Sequence, residues 1–129
     1  MNEEVKKIQK FTDLTAWQEG HRLVLMIYQA TKEFPPEERY GLCKQMRRAV
    51  VSFTSNIAEG FGRKSSKEKS QFYNNAKGSL TELQNQLLIA KDVDYLPKEV
   101  FNKVADQSIT ANKLLTGLLR ATRQMRYES

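Results

Sequence analysis

The side chains able to do chemistry in this 129-residue chain are few and solitary. There is one histidine, His21, and one cysteine, Cys43, with no HExxH motif and no cysteine pair. A metal site inside a helical bundle draws on Glu-x-x-His pairs from facing helices, and none occurs, so no metal and no cofactor is expected. A nucleophilic site would need Cys43, His21 and an acid to meet in space. No strained elbow surrounds either residue. Cys43 reads as a small buried hydrophobe and His21 as a neighbour of Trp17. Neither GxxxxGK[ST] nor GxGxxG is present to cradle a phosphate, and Gly60-Phe61-Gly62 reads as a helix stop. No catalytic residue is assigned.

Two constellations remain. Gln45, Arg48, Ser52, Asn56 and Glu59 form a polar stripe at helical spacing, about 80° wide and adjoining an apolar face. Read functionally, it is a ligand or nucleic-acid groove. Read structurally, it is a polar network that sets helix register or a subunit interface. The structural reading is favoured, because buried polar pairs are best attested as specificity devices. The second constellation is basic: Arg63, Lys64, Lys67 and Lys69 on a loop into a helix, and Lys113, Arg120, Arg123 and Arg126 late in the chain. Each cluster taken singly is an ordinary solvated surface. Repeated around a symmetric oligomer, each becomes a ring of positive charge that holds phosphate backbones without reading sequence. Phe72, Tyr73 or Tyr127 could add base stacking.

The polar stripe belongs to a stretch running from Tyr40 to Arg63. Taken as a helix, it gathers Leu42, Met46, Ala49, Phe53, Ile57 and Gly60 within about 80° of one another. Val50 and Phe61 widen that arc, while Lys44, Arg47, Thr54 and Ser55 form a wet strip. Val51 is apolar on this strip, which marks it as the indicator of a subunit contact. The helix should end at Glu59-Gly60-Phe61-Gly62 through a left-handed glycine exit.

Before it, a helix should start at Thr15, whose spacing to Gln18 fits a capping box. Trp17, His21, Val24, Tyr28 and Thr31 mark its inner face, and Phe34-Pro35-Pro36 ends it. After it, Ser65 and Glu68 make a second capping box. The helix that follows turns Phe72, Ala76, Ser79, Leu80, Leu83, Leu87 and Ala90 inward. Gly78 costs about 1 kcal/mol relative to alanine in mid-helix. Beside Ala76 and Ser79, it predicts close approach of another backbone, with Gly78 and Ser79 as interface residues. The break at 92–97 places Pro97 at a first helical position. A last helix shows Val104, Ser108, Ala111, Leu115, Leu118, Thr122 and Met125 as a heptad-like seam.

No strand pattern, repeat or low-complexity tract interrupts these segments. They predict an all-α, antiparallel up-down four-helix bundle, with residues 1–12 as a flexible N-terminal arm and 13–129 as a single domain. Hydrophobic residues make up 40% and charged residues 28% of the chain, which is a globular rather than a disordered composition. The longest apolar run, from Leu23 to Tyr28, is too short to span a bilayer. The N-terminus lacks the apolar stretch of a signal peptide, and one cysteine suits a reducing compartment, so the expected location is cytoplasmic with no membrane partner. The net charge of +6 and pI near 9.5 favour polyanionic partners, RNA among them.

The chain resembles the four-helix-bundle family of 23S rRNA-intervening sequence proteins. The likeness rests on Asp13-Leu14 with Trp17-Gln18, on Tyr28, Thr31 and Phe34-Pro35, and on Glu38-Arg39-Tyr40-Gly41-Leu42. It continues through Gln45 with Arg47-Arg48-Ala49, Ser52 with Asn56-Ile57-Ala58-Glu59-Gly60, and Gly78-Ser79 with Glu82-Leu83. It covers residues 13 to about 95. Thr54 departs from it, standing where many relatives are expected to carry proline, so the second helix should be straighter here. The resemblance implies a homopentamer. It also implies kinship with basic pentameric bundles that engage a reverse transcriptase and nucleic acid. It implies no reaction.

The function these readings point to is a non-enzymatic oligomeric binding or scaffold protein that contacts RNA, or a nucleic-acid-associated protein, through basic surfaces. Two rivals stand beside it. One is a metal-independent hydrolase or nuclease using Glu59 with Arg48 or His21. The other is a purely structural oligomer whose basic residues serve only solubility.

Overall fold

The computed structural model describes residues 7–128, with side chains through residue 125. The first six residues of the expected arm, and the side chains of Arg126 and Tyr127, lie outside the described residues. Four α-helices carry the fold: α1 (Thr15–Thr31), α2 (Leu42–Phe61), α3 (Ser66–Asp92) and α4 (Lys98–Glu128). Short 3₁₀ turns at Phe11–Asp13 and Pro36–Glu38 precede α1 and α2. Among the described residues there is no strand. Helix α1 packs on α2, α2 on α3, α3 on α4 and α4 back on α1, while the backbones of the diagonal pairs α1–α3 and α2–α4 stay apart. The four helices therefore close around one core.

That core follows the apolar spacing of α2. Met46, Ala49, Phe53, Ile57 and Gly60 are buried as their periodicity predicts, together with Cys43 and Val50. Tyr73, Leu80, Leu83 and Leu87 of α3 and Val104, Ala111 and Leu115 of α4 close on them. Each large side chain fully removed from water here contributes about 1.5–3 kcal/mol.

Helix α1 is rotated by one residue from the face its sequence suggests. The buried positions are Ala16, Gly20, Leu23, Ile27 and Thr31, whereas Trp17 and Val24 flank the core and His21 and Tyr28 are exposed. Gly20 decides the rotation. A Cβ there would stand 2.6 Å from Phe53 Cε2 and 3.0 Å from Thr54 Cγ2, so α1 lies against α2 through a residue without a side chain. The same contact buries Thr54, which the helical wheel had assigned to the wet strip.

Other local expectations change for equally local reasons. Leu14, with no side-chain cap, precedes α1, and Gln18 Nε2 donates to the Thr12 carbonyl at 2.9 Å instead of joining a box with Thr15. Ser65 does cap α3, its hydroxyl accepting from the Glu68 N–H at 3.1 Å. No glycine adopts positive φ. Helix α2 ends with Gly62 at φ −77°, and Lys69 Nζ donates to the part-buried Phe61 carbonyl at 2.6 Å, satisfying an acceptor that every helix end leaves open. The left-handed exit occurs after α3, at Asp94 with φ 65°. There the Tyr95 N–H reaches the Ala90 carbonyl at 2.8 Å and the Asp94 N–H reaches Lys91 at 3.0 Å, which is a Schellman motif.

On α4 the buried series runs Val104, Ser108, Ala111, Leu115, Leu119 and Thr122, with Leu118 on its flank and Met125 54% exposed. A straight helix drifts by about 20° per heptad from a strict seven-residue repeat, so the seam slides from Leu118 to Leu119. Gly78 is exposed and nothing lies within 4 Å of its Cβ position. The backbone approach expected at Gly78 is therefore absent within the chain.

Candidate nucleic-acid interface

Pro35 and Pro36 stop α1 and turn the chain into the Pro36–Glu38 helical turn, which lays the start of α2 beside the end of α1. Glu38 fixes this corner. Its Oε1 accepts from the Leu42 N–H at 3.0 Å, and its Oε2 accepts from the Tyr95 hydroxyl at 2.9 Å. The Leu42 N–H, followed by the Tyr95 hydroxyl, holds the Glu38 carboxyl below the usual carboxylate range. Glu38 in turn raises the Tyr95 phenol.

Along this corner runs an open groove of about 1060 Å³. Lys32, Arg39, Lys44, Arg47 and Arg48 line it, together with the rings of Tyr28 and Tyr40, and no aspartate or glutamate does. Four of the five cations are solvent-exposed, and none of the five forms an ion pair with a described carboxylate. Arg47 is the anchored one. Its Nε donates to Thr31 Oγ1 at 2.9 Å, its Nη2 to the Tyr28 carbonyl at 3.2 Å, and its guanidinium lies 4.6 Å from the Tyr28 ring centroid. The last turn of a helix leaves carbonyls open, and Arg47 reaches across from α2 to take one. The spacing of Arg47 had suggested only a solvated position; the clue was its reach to α1, which no single-helix pattern carries.

The polar stripe of α2 divides into three parts. Gln45 and Arg48 are exposed, and Arg48 faces the groove. Ser52 Oγ meets Ser79 Oγ at 2.8 Å across the α2–α3 contact, and Asn56 Nδ2 donates to the Ser52 carbonyl at 2.8 Å and to Ser52 Oγ at 3.2 Å. Glu59 pairs with Arg63 at 2.7 Å near the helix end. Arg48 and Glu59 stand three turns apart, about 16 Å along the axis. His21 stacks on Trp17 with centroids 4.7 Å apart. The pairs imagined for hydrolysis are therefore not assembled. Among the described residues, no three His, Cys, Asp or Glu side chains gather as a metal site would require.

The first basic cluster is partly committed to the fold. Arg63 is bound to Glu59 and covers the Phe72 ring at 4.6 Å. Lys69 caps α2 over the Phe61 ring, and its burial lowers its pKa. Lys64 and Lys67 remain exposed. Of the rings considered for stacking, Tyr73 is 1% exposed and inside the core, and Phe72 is half-buried. Lys113, Arg120 and Arg123 are exposed on α4, whose backbone lies diagonally across the bundle from α2. Val51 is 39% exposed at the groove's edge. Among the described residues, no helix is long and apolar enough to cross a membrane.

Four helices closed around one core, with a cationic groove at one corner, define a small all-α bundle protein. The family model of the 23S rRNA-intervening sequence protein matches residues 12–117, and the chain belongs to that family. The fold is also similar to the crystal structure of a protein of unknown function from the S23 ribosomal protein family of Bacteroides thetaiotaomicron VPI-5482. That similarity has a TM-score of 0.77 at 21% identity and covers 84% of this chain and 98% of the other. At that identity the likeness concerns the fold alone. No curated protein matches the chain.

Proposed function

We propose that this protein is a non-enzymatic, cytoplasmic binding module whose up-down antiparallel bundles assemble into a homopentamer and contact RNA through basic surfaces. The observation that carries this reading is the acid-free groove between α1 and α2, where five cations meet without a carboxylate to neutralise them. Such a lining binds polyphosphate backbones by counterion release, without base readout. Lys64, Lys67, Lys113, Arg120 and Arg123 extend the positive surface, and closed symmetry repeats each patch around the assembly. Val51, exposed and apolar, together with Gly78 and Ser79, supplies the contacts between copies. The open space around Gly78 leaves room for a neighbouring backbone.

The test is size-exclusion chromatography at low salt with light scattering and absorbance at two wavelengths. The expected result is a mass several times 14.9 kDa that carries nucleic acid released by added salt. A protein of the same mass that never retains labelled RNA at low salt would overturn the RNA reading, and a monomer would overturn the assembly.

A further inference from the structure

The groove between α1 and α2 is more selective than a positive surface needs to be. Its cations are joined by one ring free for contact: Tyr40 is 79% exposed and lines the groove among Arg39, Lys44 and Arg48. The other tyrosine, Tyr28, already carries the Arg47 guanidinium on its face. Tyr40 follows the Pro36–Glu38 turn and directly precedes Gly41. Glu38 secures that turn on both sides, through the Leu42 N–H and the Tyr95 hydroxyl. The ring is therefore exposed on a fixed corner rather than on a free loop. Glu38 also occupies the N-terminal end of α2, so an anion in the groove meets side chains and not the helix end.

We infer that this groove is a site for single-stranded nucleic acid, with an unpaired base stacked on Tyr40 and the flanking phosphates held by Arg48, Lys44 and Arg39. The inference rests on the RNA-binding reading above and names the form of nucleic acid that this site takes. A basic groove that follows the backbone, combined with an accessible aromatic face, is the arrangement that binds single strands without strong sequence preference. Bases in a duplex are stacked on each other and offer no face to Tyr40. A volume of about 1060 Å³ is on the scale of a small-ligand site and has room for a short piece of one strand. Lys32, at the far end of α1, extends the track for the next phosphate.

The experiment uses the full chain and a fluorescein-labelled oligouridylate of about ten nucleotides, a length within the range such grooves cover. A mixed-sequence RNA duplex of equal length is the comparison. A second oligonucleotide carries 2-aminopurine, whose fluorescence falls when it stacks. At low salt the single strand should bind at least about ten-fold tighter than the duplex, and 2-aminopurine should be quenched on binding. Tyr40→Leu should abolish the quenching and weaken single-strand binding at least about five-fold, the loss of one stacked base, while leaving duplex binding unchanged. Arg48→Ala should weaken both RNAs and lower the salt slope by about one. Both side chains are exposed, so circular dichroism should report an unchanged fold. Equal affinity for the two RNAs, with Tyr40→Leu binding like the parent, overturns the single-strand inference and leaves the RNA reading standing. Failure of both RNAs to bind at low salt overturns the RNA reading and the single-strand inference together.

Discussion

Gly60 and Tyr73 pack so closely that a Cβ on Gly60 would stand 2.7 Å from the Tyr73 ring. Helix α2 can therefore lie on α3 only through a bare backbone at this point. Gly20 stands in the same relation to Phe53, at 2.6 Å. Both rings are fully buried and have nowhere to retreat. Alanine would ordinarily gain about 1 kcal/mol over glycine inside a helix. Here the clash should outweigh that gain, so Gly60→Ala and Gly20→Ala are each expected to lower stability by about 1–3 kcal/mol, read as a lower urea midpoint at unchanged slope.

Asp94 offers the opposite case. It holds φ 65° at the end of α3, a conformation that glycine adopts without steric cost. Asp94→Gly is expected to stabilise the protein by up to about 1 kcal/mol. Differential scanning calorimetry should show a higher Tm, with the helical content preserved.

The hydroxyls of Ser52 and Ser79, 2.8 Å apart, join α2 to α3 in a half-buried setting. Removing one leaves its partner short of a bond, at about 1 kcal/mol, whereas removing both is closer to neutral. A double-mutant cycle of Ser52→Ala and Ser79→Ala should therefore give a coupling energy of about 0.5–1 kcal/mol. Additive losses would show that the two hydroxyls do not act together.

Two groups give the stability a defined pH dependence. Burial pushes the Tyr73 phenol up from 10.0 to about 12. Folding thus favours the protonated phenol, and its contribution is complete below pH 10 and is lost as the pH rises through the window up to about 12. Tyr73→Phe should flatten that alkaline decline. Glu38 acts at the other end. Its folded carboxyl lies below the ordinary 4.5, so its contribution is present above that value and is lost as the pH falls through and below it. Urea titrations of Glu38→Gln should show a shallower acid loss than the parent.

The proposed assembly predicts that Val51→Asp lowers the mass seen by light scattering while circular dichroism keeps its helical signal. Gly78→Arg should act the same way, because the protomer itself has open space at that position. An unchanged mass in both variants would place the contact between copies elsewhere.

Much of this architecture can be read directly from the chain. Four helices, the prolines that separate α1 from α2, the Ser65 cap, the buried face of α2 and the burial of Cys43 all follow from interactions that span a turn or two. Periodicity, capping and φ restriction operate over such short distances, and a sequence displays them. Belonging to the family is likewise legible, because its motifs are contiguous. The rotation of α1 onto Gly20, the roles of Gly60 and Asp94, and the reach of Arg47 to Tyr28 were decided only when helices met. So was the groove, since Lys32 on α1 and Arg39, Lys44 and Arg48 around the start of α2 become one site only through the packing of two helices. Spacing along one helix fixes which residues share a face, but the partner that closes on that face decides how it is turned and which charges are left facing water.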